Sequence, residues 1–247
     1  MNLQVARHLL LIRFILFLST AVVLPILCDA SAPETVLQAL KRYGVEINQA
    51  ALIQALSDPR KEVRGLAAAE LADMKVTDVL PQIIQAAESE QDGLTHVNIA
   101  SAATSLGSAQ PLSILKDLCA DAAVPGYVRV AAARSVFQTG DHSCFLTLAD
   151  MVEFGTDTEG RTEGLALLAQ VKPKTDTEEK IALNLALGAL KDPQVMMRLQ
   201  ACEAIRWIGD PKAIALLQAA LDHEQEEVVR DRIAVVLKFL LGSPHER

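Results

Sequence analysis

The residue types best able to do covalent chemistry lie together in one short segment, Asp141-His142-Ser143-Cys144. A catalytic nucleophile needs a base within hydrogen-bonding reach, and that base needs a third group to orient it. Neighbouring residues rarely achieve this, because catalysis depends on placement in space rather than on proximity along the chain. The sequence also has no nucleophile elbow, phosphate-binding loop or HExxH motif. We therefore predict a plain inter-helix turn here, and no catalytic residue, metal site or cofactor.

A series of arginines is the second chemical feature, and it could form a basic ladder for an acidic ligand. Its members are Arg64, Arg129, Arg198 and Arg230. An aspartate comes a few residues before each of them, at Asp58, Asp121, Asp192 and Asp222. Because the aspartates recur with the arginines, we expect each Arg to pair with an Asp of a turn and so to link neighbouring structural units.

The arginines belong to an internal repeat. Each copy has an apolar anchor followed by Arg, then small residues three to five positions on, then an aliphatic residue. The anchors lie at positions 63, 97, 128, 160, 197 and 229, separated by 34, 31, 32, 37 and 32 residues. Copies two and four depart from the pattern, since Asn98 replaces the Arg and Gly160 replaces the apolar anchor. Such regular spacing is typical of a solenoid.

Each copy has room for two short helices. Segments before the anchors are amphipathic, as at 51–56, 112–118 and 214–221. The small residues after the anchors let the second helices approach closely. We predict an all-α fold, a right-handed α-α superhelix of about six helical hairpins, with a capping helix at 37–43.

Helix-boundary signals support this interpretation. Asp-Pro steps at 58–59, 192–193 and 210–211 predict an Asp N-cap with Pro at the first helical position. Thr175 and Glu178 predict a capping box. Gly209 predicts a helix end in the left-handed conformation.

Composition agrees with a helical protein. The 247-residue chain is 51% hydrophobic but only 4% aromatic. Apolar content supplied mainly by Ala and Leu favours helices over strands, and it excludes intrinsic disorder.

The N-terminus predicts export. Residues 1–30 contain Arg7 and Arg13, then an uncharged stretch over 14–27 that is shorter than a membrane span. We predict a signal peptide over 1–30, removed by cleavage after Ala30, and a periplasmic or extracellular protein; an uncleaved anchor is the alternative. Cleavage removes two of 23 basic and one of 31 acidic residues, which changes the net charge from −8 to −9. Such an acidic chain is not expected to bind nucleic acid, nor to stay inserted in a membrane.

Three cysteines remain after cleavage: Cys119, Cys144 and Cys202. The repeat frame puts Cys119 and Cys144 at opposite ends of successive first helices. A disulfide needs Cα atoms within about 7 Å, so we predict none between them. Cys202 takes the place of an Ala and is expected to be buried.

Residues 204–221 and 56–68 resemble the HEAT-like repeat of the phycobilisome-lyase type, and the likeness extends over about 45–241. The resemblance implies an armadillo-like helical solenoid over 33–247. It also implies two enzyme alternatives, a chromophore lyase and a deoxyhypusine-hydroxylase-like metal oxygenase whose iron ligands are His-Glu pairs directly after the anchors. Here His223-Glu224 lies in a loop and His245-Glu246 in the tail. A pigment-handling enzyme also conflicts with export and with so few aromatic residues.

A partner surface is expected on the side lined by the second helices. The candidate residues lie six and ten positions after the anchors of copies three, five and six: Arg134, Gln138, Glu203, Trp207, Val235 and Phe239. Exposed aromatic residues are favoured binding anchors, but packing under the C-terminal cap is the commoner fate of residues placed like Trp207 and Phe239, and exposure for binding is the sharper alternative. We predict an exported protein-protein interaction scaffold that is not an enzyme and binds a protein partner.

Overall fold

The computed structural model describes residues 34–242, and within them it contains 13 α-helices and two 3-10 helices. The chain from Val36 onward forms one compact unit. The prediction of an all-α solenoid is confirmed. The signal peptide predicted over 1–30 and the tail from 243 lie outside the described residues.

The helices follow one another as antiparallel hairpins. They are α1 (Val36–Arg42), α2 (Gln49–Ala55), α3 (Lys61–Asp73), α4 (Leu80–Ser89), α5 (Gly93–Ser105), α6 (Gln110–Ala120), α7 (Gly126–Gln138), α8 (Phe145–Phe154), α9 (Thr158–Gln170), α10 (Asp176–Ala189), α11 (Val195–Ile208), α12 (Ile214–His223) and α13 (Glu227–Gly242). Short 3-10 turns, Thr77–Val79 and Pro211–Ala213, lead into α4 and α12. Helix α1 is the predicted N-terminal capping helix. The remaining helices form six repeats, with α3, α5, α7, α9, α11 and α13 as second helices.

The apolar anchors lie in the core and set the orientation of every second helix. The buried anchors are Val63, Val97, Val128, Met197 and Val229. Each second helix packs against the second helix of the next repeat, more extensively than the first helices pack against each other. The small residues after the anchors explain this, since Ala67, Ala103, Ala132 and Ala201 are fully buried and a short side chain allows a close approach.

Helices α7 and α9 approach most closely at two glycines. A Cβ atom added to Gly160 would lie 2.7 Å from the Cα of Gly126, and one added to Gly126 would lie 2.9 Å from the Cα of Gly160. Neither distance is compatible with a side chain. Gly160, which replaces the apolar anchor in copy four, is therefore required for backbone contact with the preceding repeat.

The helix boundaries differ from two of the Asp-Pro predictions. Helices α3 and α11 begin at Lys61 and Val195, two residues after the proline. The carboxylates of Asp58 and Asp192 accept hydrogen bonds from the backbone N–H two residues later, at 2.8 and 2.9 Å. These aspartates therefore close a turn before the helix instead of capping it.

The remaining boundary signals agree with the structure in all but one contact. Asp210 caps the 3-10 turn before α12 through Lys212 N–H, at 2.8 Å, and Gly209 ends α11 with φ of 70°. Thr175 caps α10 through Glu178 N–H, but the Glu178 carboxylate accepts from Lys174 N–H instead of Thr175 N–H, so the predicted capping box is only half formed.

Arg64 and Arg198 make the same set of contacts in repeats one and five. Each donates from Nε and Nη2 to both oxygens of one glutamate, Glu90 at 2.6 and 2.7 Å and Glu224 at 2.7 and 3.0 Å. Each also donates from Nη1 to two backbone carbonyls of the turn before its own helix. One guanidinium therefore holds its own turn and the turn of the next repeat.

The anchor arginines of the other repeats use parts of this arrangement. Arg230 donates to the carbonyls of the preceding turn, at 2.8 and 3.3 Å. Arg129 donates from Nε to a carbonyl in the last turn of α6. Arg161 does the same to α8 and also reaches the carboxylate of Asp192 in the next repeat, at 2.7 Å.

The predicted pairing of each Arg with the Asp of its own turn is therefore wrong in detail. Arg64 contacts the backbone carbonyl of Asp58, and its carboxylate partner belongs to the next repeat. The predicted consequence, a link between neighbouring repeats, is present at Arg64, Arg161 and Arg198.

These ion pairs change the acidity of the glutamates. The hydrogen bonds from Arg198 hold the pKa of Glu224 below its ordinary value, and those from Arg64 do the same to Glu90. In both cases burial acts in the opposite direction but does not prevail. The charged form of each pair is the stable one.

A disulfide joins Cys119 and Cys144, whose Cα atoms are 6.2 Å apart. The prediction that these residues cannot pair is wrong. It assumed that α6 and α8 run side by side in register, whereas α8 begins beside the last turns of α6. The ion pair between Lys116 and Asp141, at 2.7 Å, reports the same offset. Cys202 is free and buried, as predicted.

The glycine contact gives a test of the close packing. Gly160→Ala should lower the free energy of unfolding by about 1–3 kcal/mol, because the added methyl group forces α7 and α9 apart. Gly188→Ala is the matched control. Gly188 is exposed in α10 with nothing within 4 Å of an added Cβ, so that change should stabilise by about 0.5–1 kcal/mol. Urea unfolding measures both, and equal stability of Gly160→Ala and the natural protein would contradict the assignment.

The arginine contacts give a test with a pH dependence. Arg198→Met should destabilise by about 3 kcal/mol near pH 7, since it leaves a nearly buried carboxylate without its charged partner and with only the backbone N–H groups of Gln225 and Glu226 as donors. Glu224 has a lowered pKa in the natural protein, so its contribution is present above the ordinary value of 4.5 and is lost as the pH falls below it. The deficit of Arg198→Met should therefore shrink between pH 6 and pH 3.

Arg230→Met is the control for this pH dependence. Arg230 donates only to backbone carbonyls, so the loss of stability in Arg230→Met should stay constant over the same range. Denaturant unfolding at several pH values separates the two variants. A deficit of Arg198→Met that did not change with pH would show that Glu224 is not the partner that matters.

Candidate functional site

Five of the second helices, α3, α7, α9, α11 and α13, present one row of side chains away from the core, which we call the outer row. The row contains the residue before the anchor and the residues three, six and ten positions after it. These spacings place the four side chains on one face of an α-helix. In α5 the same positions include the buried Ala100 and Ala103. In α11 the row is Met196, Gln200, Glu203 and Trp207, and in α13 it is Val228, Arg232, Val235 and Phe239.

Large apolar side chains are concentrated in the last two outer rows. Five of them are between 44% and 61% exposed: Met196, Trp207, Val228, Val235 and Phe239. We call these five residues the C-terminal patch. Trp207, Val235 and Phe239 share an exposed face. The commoner expectation for Trp207 and Phe239, packing under the C-terminal cap, is therefore wrong.

A charged cluster lies within the C-terminal patch. Glu203 accepts a hydrogen bond from Arg206 Nε at 3.1 Å and one from Arg232 Nη1 at 2.5 Å. The second contact joins α11 to α13. The guanidinium of Arg206 also lies 5.6 Å from the ring centre of Trp207, a cation-π distance. Two arginines share one glutamate, so the cluster carries one excess positive charge.

Arg134 and Gln138 lie apart from this patch. Both are exposed on α7, and α9 separates α7 from α11 in the order of the repeats. The outer row of α9 contains Glu159 and Glu163, which are also exposed. The structure therefore brings together Glu203, Trp207, Val235 and Phe239, and it does not bring Arg134 or Gln138 to them.

Sequence reasoning missed four residues of this face. Met196 and Val228 occupy the position before the anchor, where Glu62 and Glu159 stand in copies one and four. That contrast is visible in the sequence once the anchors are aligned. Arg206 and Arg232 belong to the charged cluster, and no sequence signal distinguishes them from ordinary surface arginines.

Trp207 also borders a cleft. The cleft has a volume of about 450 Å³ and lies between the end of α11 and the loop that leads into α10. Its wall contains Lys172 and Lys174 from the loop and Asp176 and Glu179 from α10, so both signs of charge are present. The indole is therefore accessible from the patch and from the cleft.

A larger groove of about 820 Å³ separates the first helices α10 and α12. Leu187, Leu216 and Ala219 line its apolar part, and the pair of Arg198 with Glu224 lies at one edge. All hydrogen bonds that the structure shows for the Arg198 guanidinium go to Glu224 or to backbone carbonyls. The anchor arginine therefore offers no free charge to a ligand in this groove.

The segment with nucleophile-like residues lies between α7 and α8, and its side chains are used in internal contacts. Cys144 forms the disulfide. Asp141 pairs with Lys116, and His142 Nδ1 lies 3.0 Å from Glu178 Oε2. These contacts tie the loop to α6 and α10.

The other residues considered for chemistry do not form a metal centre in the described part of the chain. Glu224 is engaged by Arg198, while His223 is exposed. Burial raises the pKa of the Cys202 thiol to about 12, which makes the thiol unreactive. Among residues 34–242, no group of three or more His, Cys, Asp or Glu side chains could hold a metal ion. No helix in the same range has the length and apolar character that a membrane crossing requires.

Comparison with solved structures finds human deoxyhypusine hydroxylase in complex with glycerol. That structure is 21% identical, with a TM-score of 0.43, and the match covers 86% of this chain and 82% of that one. The prediction that this chain is not an enzyme is contradicted by this match, and we withdraw it. No curated protein matches the chain.

Comparison with family models finds HEAT repeats over residues 49–137 and 147–238. The break between the segments falls around the loop before α8, where the disulfide joins two first helices. The match is to HEAT repeats in general, so the phycobilisome-lyase subtype stays a prediction. Because the two segments cover well over half of the sequence, the chain belongs to the HEAT-repeat family.

Proposed function

We propose that this protein is a scaffold that binds a protein partner through the C-terminal patch. The observation that carries the proposal is the exposure of Met196, Trp207, Val228, Val235 and Phe239 on two neighbouring second helices. Keeping such side chains in water is unfavourable by about 25 cal/mol for each Å² of apolar surface. Exposed apolar side chains that cluster among polar residues mark interaction sites.

Two of the other outer rows support the choice of this end of the molecule. In α9 the row is Glu159, Glu163, Ala166 and Gln170, and in α3 it is Glu62, Leu66, Ala69 and Asp73. Small and charged side chains predominate there, and such side chains are depleted from the energetic centres of interfaces, whereas Trp and Arg are enriched. The patch combines Trp207 with Arg206 and Arg232.

We also propose that the protein is exported. Residues 1–30 carry the features of a signal peptide, and the disulfide between Cys119 and Cys144 supports an oxidising compartment, where such bonds persist. The net charge of −8 supports a partner other than nucleic acid, since acidic proteins repel phosphate backbones.

Intact-mass analysis of the protein recovered from its own host tests export. The expected species begins at Ser31, lacks two hydrogens because Cys119 and Cys144 are oxidised, and reacts with a thiol reagent at Cys202 only after unfolding. Recovery from the cytoplasm with residues 1–30 attached and four free thiols, that of Cys28 included, would contradict the proposal.

Substitution in the patch tests partner binding. In a capture experiment with the tagged full chain in its own host, the double variant Trp207→Ala and Phe239→Ala should retain at least about 30-fold less of the partner, as expected for two binding anchors. Both side chains are exposed, so each change should alter the unfolding free energy by no more than about 0.5 kcal/mol.

Phe154→Ala is the matched control. Phe154 is 73% exposed, yet it belongs to the first helix α8, away from the second helices. A protein captured by the natural chain and by Phe154→Ala, but not by the double variant, supports the proposal. A partner captured equally by all three proteins would show that the patch is not the binding surface.

A further inference from the structure

The guanidinium groups beside the C-terminal patch make fewer hydrogen bonds within the protein than that of the anchor arginine Arg198. Arg198 makes four hydrogen bonds to protein acceptors. Arg206 and Arg232 each make one, and both go to Glu203. Within residues 34–242, the structure gives their remaining N–H groups no acceptor. A guanidinium has five N–H donors, so most of the donors on these two side chains are available.

The available donors lie between apolar side chains. The outer rows of α11 and α13 run side by side, and Glu203 and Arg232 connect them. Met196 and Val228 lie at one end of the two rows, and Trp207 and Phe239 lie at the other end. Each row covers 12 residues, so its ends are about 16 Å apart along an α-helix. Neighbouring helices lie about 8–10 Å apart, so the rows border a shallow valley of that width.

Resting on the proposed function, we infer that the partner is an amphipathic helix of about three turns, with one carboxylate near its centre, lying in this valley. Its apolar side chains contact the C-terminal patch, as in helix-in-groove recognition. The carboxylate receives the free N–H groups of Arg206 and Arg232 and neutralises the excess positive charge that Glu203 leaves.

The neighbouring charges limit how acidic that helix is. Glu159 and Glu163 lie exposed on α9, one repeat away from α11, and they repel a second carboxylate on that side. A single acidic residue between apolar positions fits, whereas a uniformly acidic segment does not. A second copy of this chain is also a poor occupant, because a symmetric contact centred on the patch brings Arg206 and Arg232 towards their own counterparts.

The test uses the single tryptophan of the chain as its reporter. Three synthetic 16-residue helical peptides share one apolar face and differ only at a central position, which is Glu, Gln or Lys. Each is titrated into the full chain while the emission of Trp207 is recorded. The Glu peptide should shift the emission to the blue and saturate, with a dissociation constant at least tenfold lower than that of the Lys peptide. In the double variant Arg206→Gln and Arg232→Gln, the preference for Glu over Gln should disappear.

Each other outcome overturns the inference. Equal binding of the three peptides would support apolar docking but contradict recognition of a carboxylate. If none of the peptides binds, a helical partner is contradicted. A blue shift that grows with protein concentration alone, together with a doubled mass in light scattering, makes a second copy the occupant. Partner capture that is lost in the Trp207→Ala and Phe239→Ala variant keeps the proposed function even when the peptide test fails.

Discussion

The stacking of repeats one, four and five on the repeats that follow them depends on the contact that Arg64, Arg161 or Arg198 makes with a carboxylate of the next repeat. In repeats one and five, a single guanidinium holds the carbonyls of its own turn and both carboxylate oxygens of the following turn. Backbone carbonyls in turns and at helix ends have no helical partner and need one when water is excluded. The arginine supplies that partner and fixes the next turn at the same time. Each repeat is therefore positioned by its neighbour, as expected for a structure in which no hairpin buries its apolar face alone.

The close contact of second helices is the other half of this arrangement, and it determines where a binding surface is available. Small residues on the packed side bring these helices together, which brings their outer rows side by side. In α3 and α9 the side chains of the outer rows are mostly small or charged, as with Glu159 and Ala166. Only where α11 meets α13 do two adjacent rows, among the described residues, carry large apolar side chains at both ends. The geometry that stabilises the fold therefore exposes one patch that the fold itself does not need.

The parts of the fold that were predictable from the sequence are those that one repeat determines by itself. The anchors, the capping helix and the Gly209 helix end follow from periodicity and local backbone preference. The exposure of Trp207 does not, because its position in the repeat is also compatible with packing under the C-terminal cap. The wrong predictions concern relations between repeats. Glu90 lies 26 residues after Arg64, and no periodicity shows which carboxylate reaches that guanidinium. The disulfide depends on the offset of α8 along α6, which the lengths of the intervening loops and helices set jointly.

The hydrogen bonds that each arginine makes also distinguish the arginines that stabilise the fold from those that are available to a partner. Arg198 and Arg206 lie two turns apart on one helix, and both contact a glutamate. Arg198 is on the side that faces the next turn, where its donors are filled by acceptors that the fold provides. Arg206 lies beside Trp207 at the exposed end of the helix, where the fold provides only a share of Glu203. A charged side chain whose donors are filled stabilises a protein, and substitution of it reports on folding. An arginine that has unused N–H donors and lies among exposed apolar groups gains further acceptors only when a partner binds. The number of hydrogen bonds within the protein therefore separates the two roles, although the sequence alone shows two similar arginines.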